Sequence, residues 1–172
     1  NGHGDALGGA VIGRKDLISR LRARSGVYLG ASLAAQNAWL ILRGIDTLFP
    51  RLRTSSANAI VLAEWLEAHP AVTRVIYPGL ASHPQHALAR AQMNLPGGMI
   101  VFQVKDPATM AQRMADRLRV IHYAFSLGHQ RSICVLIPTD DIRSSTFRME
   151  GAALRRYRDW AGDGLFRLSV GL

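Results

Sequence analysis

Cysteine is nearly missing: Cys134 is the only one in 172 residues, so no internal disulfide can form and nothing points to an oxidising compartment. The cytoplasm is the expected setting. No run reaches the roughly 18 to 20 apolar residues that a membrane span requires, and no basic-apolar-small leader is visible. Lysine is scarce as well, with only Lys15 and Lys105 among 21 basic residues. The G-K-[ST] of a phosphate loop and the G-x-S-x-G of a serine hydrolase are both lacking. No repeat or low-complexity segment stands out.

Arginine dominates the charge and brings the net value to +9. A clustered basic face would suggest phosphate binding. Here Arg20, Arg22 and Arg24 form one group and Arg155, Arg156 and Arg158 another, while the rest are scattered along helical patterns. A solvated or partner-facing surface is the expectation, without a nucleic-acid partner. With 48% hydrophobic and 19% charged residues, the chain can bury a core.

The pattern alternates element types. GGAVIG, at residues 8–13, reads as a short buried strand between glycines, and Asp16 to Arg24 as helical. From Ala34 to Phe49, Ala35, Ala38, Trp39, Leu42, Ile45 and Phe49 share one helical face, which Pro50 is expected to end. A further helix spans Ser56 to Ala68, with Ala57, Ile60, Val61, Trp65 and Leu66 as its apolar stripe. HPAVTRVIYPG then gives turn, strand and turn. Ser82 with Gln85 three residues later has the capping-box pattern for a helix toward Met93. PGG stops it and MIVFQV follows as a strand. Asp106-Pro107 combines an N-cap with proline at the first helical position, for a helix to about Leu118. An extended VIHYAF, the loop SLGHQ, the strand SICVLI, a polar loop from Thr139 to Ser145, a basic helix from Ala152 to Asp159 and the strand LFRLSV complete the chain. Together these predict an α/β fold with helices covering a small sheet.

Few residues carry chemistry. The glycine-rich NGHGDALGG that begins at Asn1 fits neither phosphate-binding pattern, because Leu7 occupies the last position of G-x-G-x-x-G. His83 and His86 lack a third metal ligand at matching spacing, so exposed or capping histidines are expected. Cys134, between Ile133 and Val135 in a strand, reads as an inert buried thiol. SLGHQRS, at Ser126 to Ser132, places a hydroxyl and a flexible turn between two β-prone runs. Arg167 stands inside the apolar LFRLSV. Its planar fork suits a carboxylate, although an edge-strand arginine pointing to water fits the pattern slightly better.

The strings NGHGDALGG, NAWLILRGIDTL, HPAVTRVIYPGLASHPQH, QMNLPGGMIVF, SLG and RLSVGL occur in an order and spacing that resemble the pyridoxal-phosphate enzymes of cysteine and methionine metabolism. These are the methionine γ-lyases, cystathionine lyases and synthases, and homoserine sulfhydrylases. The resemblance implies the end of a type I aminotransferase-like large domain, followed by a small C-terminal α/β domain with a mixed or antiparallel sheet. It divides the chain into residues 1–55, from the large cofactor domain with a connecting helix, and residues 56–172, the small domain. In that family the cofactor-holding lysine lies in S-x-T-K-Y-x directly before N-G-H. It would therefore stand ahead of Asn1, and the chain is expected to be a C-terminal portion that is inactive alone. Lys15 does not match that motif. By the same resemblance Arg167 grips the α-carboxylate of an amino acid substrate, and Ser126 and Leu127 contribute to that pocket.

Departures bear on the substrate. Members acting on cystathionine usually read S-L-G-G-x-E-S, and Arg131 stands where that glutamate would be. Readings as a carbon–sulfur lyase, such as a methionine γ-lyase or cystathionine lyase, and as a sulfhydrylase both stay open, and Arg131 favours an anionic leaving group such as succinate. A lysine and an aspartate of methionine γ-lyase correspond to Gly26 and Val27, and the family's M-T-H-S to Ser144 to Phe147. The implied reaction is β/γ-elimination at a sulfur-containing or O-activated amino acid. γ-Replacement by a sulfhydrylase or synthase, or a non-catalytic assembly module, are the alternatives. A homotetramer is the implied assembly.

Overall fold

A computed structural model describes residues 2–172, the side chain of Arg143 excepted; Asn1, which opens the glycine-rich stretch, lies outside them. The chain separates into two compact units, Asn1–Phe49 and Pro50–Leu172. The division falls inside a helix, between Phe49 and Pro50.

In the first unit, residues 6–14 have no regular structure, so the strand expected at GGAVIG does not form. An isolated apolar run has no ladder to join, and Val11 and Ile12 stay exposed. Helix α1 (Lys15–Leu21) continues as a π-helical segment, Arg22–Tyr28, which the sequence pattern does not reveal. Helix α2 (Ala35–Ile45) presents the expected stripe, yet Trp39, Leu42 and Ile45 are exposed. Asn37 Nδ2 donates to the Leu7 carbonyl at 3.1 Å and ties the opening loop to this helix.

Helix α3 (Leu48–Ala68) begins before Pro50 instead of after it. Proline is tolerated there because the first four N–H groups of a helix have no partner inside it. The expected stripe is also displaced. Ser55, Ser56, Ala59, Ala63 and Leu66 face the core, whereas Val61 and Trp65 are exposed. These positions keep the three-to-four spacing of one helical face, and their small side chains let the helix lie close against the sheet.

The sheet has five strands in the order β1-β2-β5-β4-β3: β1 (Val72–Ile76), β2 (Met99–Val104), β3 (His122–Tyr123), β4 (Ile133–Pro138) and β5 (Gly164–Ser169). It is mixed, with β3 parallel to β4 and every other pair antiparallel. The last strand of the chain is therefore the middle of the sheet. Successive side chains on a strand point to opposite faces. Accordingly Ile100 and Phe102 of β2, Cys134 of β4, and Phe166 and Leu168 of β5 join Ala59, Ala63 and Leu66 in one core. Phe102 and Phe166 stack with ring centroids 5.0 Å apart. Tyr77 closes that core, its hydroxyl donating to the Gly97 carbonyl at 2.8 Å.

Shorter helices fill the connections. The Ser82 capping box does not form: helix α4 (His86–Gln92) starts later, with Gln85 at the N-cap position making no side-chain capping bond, and Ser82 Oγ donates to the Glu67 carboxylate instead. Helix α5 (Pro107–Arg117) begins as expected, with Asp106 Oδ1 accepting the Thr109 N–H at 3.1 Å. The stretch expected as a polar loop contains helix α6 (Thr139–Ser144). Asp140 and Asp141 in its first turn favour a helix N-terminus electrostatically, and polarity alone conceals that. Helix α7 (Gly151–Ala161) ends at Gly162, whose φ of 61° is open to glycine at little cost. No helix of the described residues is long and apolar enough to cross a membrane.

Candidate functional site

Three local features build a cluster at the end of β5. Strand alternation puts Phe166, Leu168 and Val170 in the core, and Arg167 and Ser169 on the opposite face. Ser169 is buried, and its Oγ accepts the Gly128 N–H at 3.0 Å. Gly128 has φ 69°, a conformation that glycine adopts readily, and so the Ser126-Leu127-Gly128 turn is fastened to the strand that carries Arg167. Farther along the same loop, Ser132 Oγ accepts the Gly171 N–H at 3.0 Å, and the Leu172 N–H reaches the Gln130 carbonyl at 2.9 Å.

Arg167 folds back onto this turn. Its strand neighbours are Val101 on β2 and Val135 on β4, so it occupies the centre of the sheet and not an edge. The edge-strand position expected for this arginine is therefore not what is found, because β5 is paired on both sides. Nη2 donates to the Ser126 carbonyl at 3.1 Å. The guanidinium carbon stands 4.9 Å from the centroid of the Phe125 ring. The Nε is buried and makes no hydrogen bond among the described residues, and no carboxylate among them pairs with this guanidinium. A buried charged donor without an acceptor is costly, by about 1–3 kcal/mol or more.

The remaining expected residues divide. Ser126 meets Arg167 through its backbone oxygen, and its side chain is exposed. Leu127 is exposed and borders a cleft of about 160 Å³ together with Ser55, Gly98, Ser169 and Val170. Arg131 is exposed on the far arm of the loop, where its backbone N–H donates to His129 Nδ1 at 3.1 Å. Two contributors escape the sequence reading. Phe125 and Ser169 carry no motif of their own. The apolar-polar alternation of LFRLSV does put Ser169 on the face of Arg167, and that was the available signal.

Other candidates take ordinary structural partners. A ring nitrogen of His86 lies 2.9 Å from the Pro78 carbonyl, and His83 Nδ1 accepts the Gln85 N–H at 3.2 Å. No group of three or more metal-ligating side chains occurs among the described residues. Burial pushes the Cys134 thiol up to about 12, so at neutral pH it is protonated and a poor nucleophile.

A family described as Cys/Met metabolism PLP-dependent enzyme matches residues 1–172. The chain belongs to that family. Relatives of this PLP-dependent family include the L-methionine gamma-lyase of Pseudomonas deceptionensis, 40% identical over all of this chain and 42% of its own length. The O-succinylhomoserine sulfhydrylase of Pseudomonas aeruginosa is 38% identical over 100% of this chain and 42% of its own. Among solved structures, a cystathionine gamma-lyase of Micromonospora echinospora superposes with a TM-score of 0.79 at 38% identity, covering 99% of this chain and 43% of that one. The chain thus spans less than half the length of these PLP-dependent relatives.

Proposed function

We propose that this chain supplies the substrate-carboxylate pocket of a pyridoxal-phosphate enzyme that carries out β- or γ-elimination on a sulfur-containing or O-activated amino acid. The observation that carries the reading is Arg167, a half-buried guanidinium in the central strand, held by one carbonyl and lacking any carboxylate partner among the described residues. Its fork offers two parallel donors to an α-carboxylate. Ser126 shapes the rim of the pocket, and Leu127 faces the cleft beside it. Pyridoxal phosphate, when bound, acts as the sink for negative charge developing at Cα. The protein's part is placement: clamping the carboxylate selects which Cα bond is aligned for cleavage, so a loosened clamp costs rate as well as affinity.

The residues of this chain fit the substrate's carboxylate better than they fit the cofactor. Lys105 follows β2 at a position remote in sequence from the serine turn, and Lys15 does not match the family's cofactor-lysine motif. We therefore expect the 172-residue chain by itself to be catalytically silent. In this reading its first unit belongs with the cofactor-binding domain, and the enzyme is a homo-oligomer, a tetramer by family resemblance.

A second reading, γ-replacement on O-succinylhomoserine, draws support from Arg131, an exposed cation on the same loop that suits a dianionic leaving group. Assaying the holoenzyme with methionine and with O-succinylhomoserine plus a thiol separates the two. Keto-acid release from methionine supports elimination, and thioether formation without keto acid supports replacement. Neither product from any such amino acid would refute both.

A further inference from the structure

Phe125 is a large apolar side chain left 76% exposed at the mouth of the serine turn, where core packing gives it no reason to be. Among the described residues, the partner of its ring is the guanidinium of Arg167, 4.9 Å away. We propose that Phe125 is a positioning residue for Arg167, fixing the plane of the guanidinium so that a carboxylate meets the fork edge-on. This deepens the carboxylate-binding reading above and rests on it.

Two constraints are needed to orient a planar fork at the end of four rotatable bonds. The hydrogen bond from Nη2 to the Ser126 carbonyl holds one edge at 3.1 Å but leaves the plane free to swivel about that contact. A ring packed on one face removes the swivel, since the cation is attracted to the face of the π-system. Both constraints come from adjacent residues, Phe125 and Ser126. Their turn is fastened by the Gly128 N–H to Ser169 Oγ, two positions beyond Arg167 on the same strand. Ring, carbonyl and guanidinium are thereby kept in register by one strand and one turn. A fork oriented beforehand loses less freedom when a ligand arrives, and affinity rises accordingly. Phe125 meets no reacting atom in this scheme and acts only through Arg167.

The test uses the pyridoxal-phosphate-loaded holoenzyme, its amino acid substrate, and the matching amine that lacks the carboxylate as a competing ligand. Phe125→Leu is expected to raise KM for the amino acid by about fivefold, the scale of a partly exposed cation–π contact. It should also lower kcat, since a loosened clamp misaligns the Cα bond, and leave the inhibition constant of the amine unchanged. Phe125→Tyr, which keeps the ring, should restore KM. In an Arg167→Met background, Phe125→Leu should have no further effect. An equal loss for the amine, a failed rescue by tyrosine, or the same fivefold loss without Arg167 would each overturn the assignment. If Arg167→Met weakens the amino acid while Phe125→Leu does nothing, the inference about Phe125 fails and the carboxylate reading stands. If Arg167→Met changes nothing, that reading itself fails. Unchanged thermal midpoints in the Phe125 variants, expected at so exposed a position, show that folding is not what is being measured.

Discussion

Between residues 2 and 49 the chain leaves Leu7, Val11, Ile12 and Leu42 open to solvent, whereas from Pro50 onward Tyr77, Ile100 and Phe166 are sealed inside. Composition hardly distinguishes the two regions, since both hold apolar side chains at helical spacing. The difference is whether a sheet lies beneath them. In the second unit, α3 and five strands enclose a core, and the Arg167 cluster is mounted on its middle strand. The first, among its described residues, holds helices and an irregular loop and no strand. A binding group is best placed on the rigid unit, which is where the half-buried Arg167 guanidinium is found.

The contrast can be broken by mutation. Phe166→Ala should cost about 3–5 kcal/mol of unfolding free energy in a denaturant titration, because it empties a fully buried site stacked on Phe102. Leu42→Ala, on the open face of α2, should stay within about 0.5 kcal/mol. A loss at Leu42 approaching that at Phe166 would mean this face is covered in solution and would erase the distinction.

Tyr77→Phe should cost about 1 kcal/mol, the net worth of its hydrogen bond to Gly97. The phenol also ties stability to pH. Burial pushes it up to about 12 from an ordinary value of 10.0, so its contribution is fully present below pH 10.0 and is lost as pH rises through about 12. Unfolding curves of the wild type and Tyr77→Phe should draw together across that interval. Cys134 sharpens the same point chemically. A thiol reagent should label it only as the second unit unfolds, and labelling of the native chain at neutral pH would show that the core opens.

The smallest effect is expected at the surface, from Asp106→Ala. The hydrogen bonds from Thr109 hold the Asp106 carboxyl below the usual carboxylate range. Its stabilising share is therefore present above the ordinary carboxylate pKa and is lost as pH falls through the lowered value. The variant should melt slightly earlier at neutral pH and indistinguishably in acid.

What could be read from sequence follows the range of each signal. Strand β2, strand β5 and the Asp106-Pro107 start of α5 were legible because each depends on its own few residues. GGAVIG misled because a strand needs a neighbour that composition does not supply. The stripe of α3 misled because hydrophobicity favoured Val61 and Trp65, while the sheet selects the small Ser56, Ala59 and Ala63 for close approach. Ser82 had the residues of a capping box, but Glu67, fifteen positions earlier, takes its hydroxyl. At the site, Arg167 and the serine turn were visible as motifs. Their meeting was not, since it depends on β5 inserting between β2 and β4, and the part of Phe125 follows only from that meeting.

The central claim is that Arg167 holds an amino acid by its carboxylate. The direct measurement is the affinity of the holoenzyme for an amino acid and for its decarboxylated amine, before and after Arg167→Lys. A point charge cannot replace the fork, so the amino acid should bind about ten- to hundredfold more weakly while the amine is unaffected. Unchanged amino acid binding, or an equal loss for both ligands, would contradict it.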